Sequence, residues 1–244
     1  MSDYTPYPPA AWNPDLAQLV DQETYYVTQT WARSVQLDEP PPTSSGECLL
    51  VAEKVKQCTA DRLKDICEQN RGSWLNVVWP LIQLLPGSTG IKQPEELRAK
   101  WPAVWEMVHS AVWDLQPGLY QLKTHFMRGR PTHDCGIQPL ILLPGHPSYP
   151  GGHAAQAHTA ALLLGQLFTG ANDDPRLRGA LVHAAQEVAL NRVYAGVHYP
   201  SDSEAGFLLA VQFVALLKQN SMFIDVMDQA AQVDLKLAPG WDKP

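Results

Sequence analysis

The chain lacks a long apolar segment, an N-terminal export signal and an excess of basic residues. Its longest apolar run, 206–217, is interrupted by Gln212 and is shorter than the roughly 20 residues that a membrane span needs. Residues 1–9 contain no basic region followed by an apolar one, so we expect no signal peptide. We therefore expect a soluble protein without a transmembrane segment, located in the cytoplasm, or in the periplasm if the chain is a trimmed mature form.

The charge balance and several missing motifs exclude other functions. With 18 Lys and Arg against 25 Asp and Glu, the net charge of −7 argues against a nucleic acid partner. The four cysteines, at positions 48, 58, 67 and 135, form no C-x-x-C pair, so we expect free thiols, whereas a secreted chain would allow one or two disulfides. Neither an H-E-x-x-H nor a G-x-S-x-G motif occurs, so we expect neither a metal hydrolase nor a serine hydrolase.

Strand signals are nearly absent and helical periodicity is common, which predicts an all-α fold. The predicted helices cover 14–35, 46–69, 74–85, 94–113, 118–128, 152–169, 174–194, 201–219 and 222–234, with loops at 38–46, 86–90 and 131–151. A chain of 244 residues suits one compact domain. We expect a single-domain helical bundle in which an N-terminal helical extension, 1–90, packs on a core, 91–235. The eight tryptophans would serve this core or a homodimer interface.

Two segments before residue 155 predict an anion site. Lys123 and Arg130 are almost two helical turns apart, which would place both side chains on one helix face. Pro131 follows, and the residue before a proline avoids helical geometry, so we expect Arg130 at a helix end. Further along, Gly151 and Gly152 precede an apolar helix, and free backbone N–H groups at such a start bind anions. The next residue, His153, would donate a proton to a bound anion.

A third segment, 191–202, places an arginine, a histidine and an aspartate around two helix breakers. Arg192 would close one helix, Gly196 would break it, and a capping box of Ser201 and Glu204 would start the next. His198 then lies in the bend, with Asp202 within reach of its imidazole. A carboxylate on Nδ1 leaves Nε2 unprotonated, which suits a nucleophile or a ligand.

In order and spacing, the three segments resemble the signature of the acid phosphatase/vanadium haloperoxidase superfamily, K-x6-R-P, P-S-G-H and S-R-x5-H-x3-D. The matching residues are Lys123…Arg130-Pro131, Pro150-Gly151-Gly152-His153 and Asn191-Arg192…His198…Asp202, with all but two fixed positions identical. The resemblance covers about residues 118–220, and in length and motif flanks it is strongest to the soluble bacterial class A acid phosphatases.

The resemblance implies a helical bundle with the active site between its central helices. His198 would be the nucleophile that forms a phosphohistidine, Asp202 would orient it, and His153 would protonate the leaving alkoxide and then activate water. The phosphate oxygens would be held by Lys123, Arg130, Arg192 and the backbone N–H of Gly152. Gly151 replaces the serine of P-S-G-H, which removes a hydroxyl donor unless His125, His146 or a water substitutes. Asn191 replaces the serine before Arg192, which is a milder change.

Three functions remain open from the sequence. The first is a phosphatase that acts on small phosphorylated substrates without a cofactor. The second is a vanadium-dependent haloperoxidase, in which His198 would ligate vanadate and His153 would assist peroxide activation. The third is an anion-binding or scaffold protein with a weakened site, which Gly151 alone supports.

Overall fold

The computed structural model describes residues 4–42, 46–169 and 174–235. These residues form eleven α-helices and no β-strand, with one isolated bridge between Pro6 and Arg128. The helices are α1 (Pro14–Ala17), α2 (Glu47–Lys56), α3 (Ala60–Gln69), α4 (Trp74–Ile82), α5 (Leu97–Lys100), α6 (Pro102–Phe126), α7 (Pro131–Cys135), α8 (Gly152–Thr169), α9 (Pro175–Tyr194), α10 (Pro200–Leu217) and α11 (Ser221–Val233). The all-α prediction is confirmed.

Helix α8 lies at the centre of the bundle and packs most extensively against α9 and α10. Five of its buried residues are alanines, whose small side chains let neighbouring helices approach closely. Gly206 of α10 lies at one such close approach, because a Cβ there would lie 2.5 Å from the carbonyl oxygen of Gly151, just before α8, and 2.8 Å from the Cβ of Ala154. The predicted bounds of α8, α9 and α10 agree with the structure to within two residues.

Among the described helices, none is long and apolar enough by itself to cross a membrane. Helices α10 and α11 reach that length and composition only as a pair, and they are bent by 96° at the break between them.

The predicted helix over 14–35 is wrong beyond α1. The chain instead forms two short 3₁₀ helices, Gln18–Asp21 and Trp31–Ser34. Between them, the backbone N–H groups of Tyr25 and Tyr26 each donate to the buried Asp114 carboxylate at 2.7 Å. Trp31 then packs on Gly118 of α6, where a Cβ would lie 2.3 Å from the indole ring. Side chains from both 1–90 and 91–235 thus share the main hydrophobic core. The division at residue 90 stays a prediction.

The two helices predicted over 94–113 and 118–128 are one continuous helix, α6, after the short α5. Pro117 lies inside α6, where it cannot donate a hydrogen bond to the carbonyl of Trp113. The Nε2 of Gln22 donates to that carbonyl at 2.9 Å, so a tertiary contact satisfies the oxygen that proline leaves unpaired. The predicted helix over 46–69 is in turn divided into α2 and α3, because Thr59 caps a new helix start.

The expectation of free thiols is wrong for Cys48 and Cys135, which form a disulfide with a Cα–Cα distance of 5.8 Å. Cys58 and Cys67 are free. The bridge joins the first turn of α2 to the end of α7. A separation of 87 residues leaves no local pattern that could have predicted this pairing.

We expect the Cys48→Ala/Cys135→Ala double variant to lose about 2–4 kcal/mol of unfolding free energy, since a disulfide restricts the unfolded chain. Urea denaturation of the oxidised proteins measures the loss. The Cys58→Ala/Cys67→Ala variant is the matched control and should unfold like the wild type. Equal midpoints for all three proteins would contradict a stabilising bridge.

Candidate active site

His198 lies in the short bend between α9 and α10. Helix α9 ends at Tyr194, and Gly196 follows with a φ of 74°, a left-handed conformation that favours glycine. Helix α10 begins at Pro200, one residue earlier than predicted, with its first turn directly after the bend. The imidazole of His198 is therefore held between two long buried helices and is only 3% exposed.

The spacing of four residues places the Asp202 carboxylate within hydrogen-bond distance of the His198 imidazole, as predicted. The Nδ1 of His198 lies 2.9 Å from Oδ2 of Asp202, and the backbone N–H of Tyr199 donates to the same oxygen at 2.9 Å. Asp202 thus caps α10, whereas the predicted capping box of Ser201 and Glu204 is wrong. The Nε2 of His198 is directed towards Arg130, with 3.4 Å between this atom and Nη1.

The three predicted cations converge near His198, although not by the predicted route. Helix α6 ends at Phe126 with Met127 in a left-handed conformation, φ 50°, so Lys123 and Arg130 do not share a helix face. Arg130 lies after this end, and its Nη1 donates to the carbonyl of Val197 at 2.5 Å. The Nζ of Lys123 donates to three backbone carbonyls, those of Pro147, Ser148 and Pro150.

Arg192 presents donors that the described residues leave unused. Its Nη2 donates to Oδ1 of Asn70 at 3.1 Å, but Nε and Nη1 are buried and have no hydrogen-bond partner in the described part of the chain. A buried guanidinium loses its hydration and needs another acceptor. Such an arrangement is typical of an oxyanion site.

The electrostatics of the site favour an anion. Burial first, and then repulsion by Arg130, lower the pKa of Arg192 to about 9. Burial also lowers the pKa of Arg130 to about 10 and that of Lys123 well below its ordinary value, with Arg130 as the second cause for Lys123. The pKa of His198 falls well below 6.5 for the same two reasons, burial and Arg130. Arg130 thus repels the charged forms of Lys123, Arg192 and His198, and a bound anion would relieve this repulsion.

His153 lies in the first turn of α8, as predicted, with Nε2 3.2 Å from the carbonyl oxygen of Gln69. Burial and the nearby Arg192 lower the pKa of this imidazole well below 6.5. Gly152, the predicted backbone donor, is the first residue of α8. A bound dianion would raise the pKa of His153, which is the change that a proton donor requires.

Gly151 lacks a hydroxyl for a structural reason. Its N–H donates to the carbonyl oxygen of Asp202 at 2.8 Å, and a Cβ at this position would lie 2.8 Å from that same oxygen. Any larger residue would push the first turn of α10 away from α8. The glycine therefore permits the first turn of α10, which carries Asp202, to pack closely against the start of α8. Of the two histidines proposed as substitute donors, His146 contacts Arg130 at 3.1 Å, whereas His125 is exposed and packs on Phe126.

Replacing Gly151 with the serine of the family motif should therefore lower both stability and activity. We expect Gly151→Ser to lower the unfolding free energy by about 1–3 kcal/mol through overpacking, and to reduce kcat because Asp202 is displaced. Urea denaturation and steady-state kinetics measure both effects. Gly179→Ser on α9 is the matched control, since a Cβ there meets nothing within 4 Å. A Gly151→Ser protein with normal stability and tighter phosphate binding would contradict this account.

The structure adds residues that the sequence analysis did not assign to the site. Gln69 and Asn70, at the end of α3, hold His153 and Arg192. Arg128 donates to Oδ1 of Asp202 at 2.7 Å and to Glu47 at 2.9 Å. Arg128 adjoins the first motif and could have been found there, whereas the other three lie before residue 91 and carry no recognisable signal.

Comparison with known proteins identifies the matching family. The family model described as the PAP2 superfamily matches residues 108–223, a segment that contains all eight predicted site residues. A lipid A 1-phosphatase from Rhizobium johnstonii is 31% identical over 126 residues, 49% of this chain and 46% of the relative. A non-specific acid phosphatase from Providencia stuartii is 28% identical over 120 residues, 47% of this chain and 46% of the relative. The chain thus spans about half the length of these two relatives.

Two further matches cover more of the chain. A lipid A 1-phosphatase from Rhizobium etli is 28% identical over 180 residues, 69% of this chain and 72% of the relative. The crystal structure of a bacterial vanadium-dependent iodoperoxidase superposes with a TM-score of 0.63 at 16% identity, covering 88% of this chain and 60% of that chain. At this identity the superposition establishes a shared helical fold.

Proposed function

Because the chain belongs to the PAP2 superfamily, we propose that it is a phosphatase that hydrolyses phosphate monoesters through a phosphohistidine intermediate. The comparisons support phosphatase activity at the level of the superfamily. The observation that carries the finer proposal is the guanidinium of Arg192, which lies in the same site as the His198–Asp202 pair and has two buried donors that no described residue pairs.

In the first step, Nε2 of His198 attacks phosphorus and the bond from phosphorus to the ester oxygen breaks. Asp202 accepts the Nδ1–H of His198, which keeps Nε2 unprotonated before the attack and stabilises the positive ring that forms. The leaving alkoxide takes a proton from His153. In the second step, His153 removes a proton from water, whose oxygen attacks phosphorus and releases His198 and inorganic phosphate.

The cations supply the electrostatic part of the reaction. Arg192 would donate Nε and Nη1 to the equatorial oxygens, and Arg130 would add its charge beside the attacking Nε2. Lys123 would contribute a buried charge once an oxyanion is bound, because the anion raises its pKa. Its three carbonyl contacts hold residues 147–150 in the turn that precedes α8. Gly152 would donate its backbone N–H from the start of α8.

Two assays on the purified wild-type protein test the proposal. Release of p-nitrophenol from p-nitrophenyl phosphate, inhibited by orthovanadate, is the expected result. The second assay uses vanadate, hydrogen peroxide and bromide or iodide, because vanadate and phosphate are both tetrahedral oxyanions that the same residues would hold. Vanadate-dependent halide oxidation without phosphate release would replace the proposal by the haloperoxidase alternative. Inactivity in both assays would favour an anion-binding role.

The disulfide bears on the location of the protein. Disulfides persist in oxidising compartments and are rare in the cytoplasm. The Cys48–Cys135 bridge therefore favours the periplasmic alternative, which we propose over the cytoplasm. Thiol alkylation and mass spectrometry of protein from each cell fraction would show where the bridged form occurs.

A further inference from the structure

A buried ion network extends from the nucleophile to α2, outside the segment that matches the family. Asp202 holds His198 through Oδ2 and receives Arg128 through Oδ1 at 2.7 Å. The Nη2 of Arg128 donates to Oε2 of Glu47 at 2.9 Å, and the Ser201 hydroxyl donates to the same oxygen at 2.8 Å. The backbone N–H of Ser201 donates to Oε1 of Glu47 at 2.8 Å. A continuous chain of hydrogen bonds thus joins Glu47 to His198 through Arg128 and Asp202.

Because this network is buried, the removal of any one of its charges would leave a partner charge uncompensated. Asp202 is 0% exposed, Arg128 is 1% exposed and Glu47 is 9% exposed. Without Glu47, the guanidinium of Arg128 would have Asp202 as its one carboxylate partner in the network and would draw that carboxylate away from the imidazole. With Glu47 present, the guanidinium is shared between two carboxylates and is held in one orientation. The face of Arg128 also lies over the Tyr199 ring, at 4.1 Å from its centroid.

Glu47 itself is fixed by a connection to a further helix. It occupies the first turn of α2, and the next residue, Cys48, is bridged to Cys135 at the end of α7. One disulfide, Cys48–Cys135, and one ion pair, Glu47–Arg128, therefore hold the first turn of α2 in place.

We propose that Glu47 is a positioning residue for the nucleophile: through Arg128 and Asp202 it sets the orientation of the His198 imidazole. For its effect on rate the inference rests on the proposed phosphatase function, but the orientation of His198 can be measured without activity. Glu47 touches none of the reacting atoms, so its removal should act on the chemical step and leave oxyanion binding unchanged.

The test compares Glu47→Gln with Glu53→Gln, an exposed residue of the same helix whose carboxylate accepts from Gln57. Protein labelled with nitrogen-15 histidine reports the Nδ1–H resonance of His198, assigned by its loss in His198→Asn. We expect Glu47→Gln to shift this resonance and to lower kcat about tenfold, the effect of weakening a hydrogen bond to a charged group. Orthovanadate affinity should stay unchanged, and Glu53→Gln should match the wild type in every measurement.

A double variant separates positioning from a general structural effect. If Glu47 acts through Asp202, then Glu47→Gln has little further effect on kcat in an Asp202→Asn protein, whereas independent effects would multiply. Should Glu47→Gln fail to fold, Glu47→Asp, whose shorter side chain cannot reach both Arg128 and Ser201, gives the same two readouts.

The outcomes distinguish this inference from the proposed function. An unchanged His198 resonance and unchanged kcat in the Glu47 variants would overturn the positioning role while the phosphatase stands. A shifted resonance in a protein without any phosphatase activity would overturn the proposed function and support the positioning role.

Discussion

Replacing His198 with alanine is expected to abolish nearly all phosphatase activity, with kcat reduced by about 10⁴-fold or more. The variant lacks the atom that would form the bond to phosphorus, and no other described imidazole makes the Nδ1 contact with Asp202 that His198 makes. The cations of the site remain and would still bind an oxyanion. The expected result is therefore a protein that binds orthovanadate but does not turn over.

Steady-state kinetics with p-nitrophenyl phosphate and acid-quench trapping of the phosphoenzyme measure this effect. Wild-type protein should yield an acid-labile phosphohistidine, and the variant should yield none. His125→Ala is the matched control, because His125 is exposed on α6. A His198→Ala protein that still forms the phosphoenzyme would require a different nucleophile.

Replacing Asp202 with asparagine is expected to lower kcat by about 10³- to 10⁴-fold, as a wrong imidazole tautomer does in a serine protease triad. Both oxygens of Asp202 accept hydrogen bonds, Oδ1 from Arg128 and Oδ2 from the backbone N–H of Tyr199. We expect the remaining oxygen of asparagine to stay towards the charged guanidinium, which places the amide NH₂ beside His198 at the cost of the Tyr199 bond. That NH₂ would donate to Nδ1 and leave the proton on Nε2. A protonated Nε2 cannot attack phosphorus.

Nitrogen-15 chemical shifts of His198 would show the tautomer directly, and kinetics would show the loss of rate. Asp225→Asn on the exposed face of α11 is the control and should have wild-type activity. An Asp202→Asn protein with an unprotonated Nε2 and a rate near that of the wild type would contradict the orienting role.

The parts of the site that could be predicted lie within short stretches of chain. The bend that contains His198 depends on Gly196 and Pro200, and the contact with Asp202 depends on a spacing of four residues across one helix start. The start of α8 at Gly152 likewise follows from local glycines and apolar periodicity. These features need no partner from elsewhere in the chain, so pattern and spacing were sufficient.

The errors have a common cause in contacts between distant residues. Helix α6 continues through Pro117 because Gln22 satisfies the carbonyl of Trp113. The helix ends before Arg130 because Met127 adopts a left-handed conformation, which a methionine in the sequence does not reveal. The Cys48–Cys135 bridge joins segments 87 residues apart.

The sequence by itself determined the all-α class and the three central helices, because helical periodicity and helix-breaking residues act locally. The roles of the eight predicted site residues stay a prediction. Only the tertiary structure decided what surrounds those residues. It showed that Gly151 makes room for the backbone of Asp202, that Arg192 keeps two unpaired buried donors among the described residues, and that Glu47 of α2 contacts Arg128 beside Asp202. The physical reason is that burial, hydrogen-bond satisfaction and close approach depend on distances between residues far apart in the chain, which spacing alone does not specify.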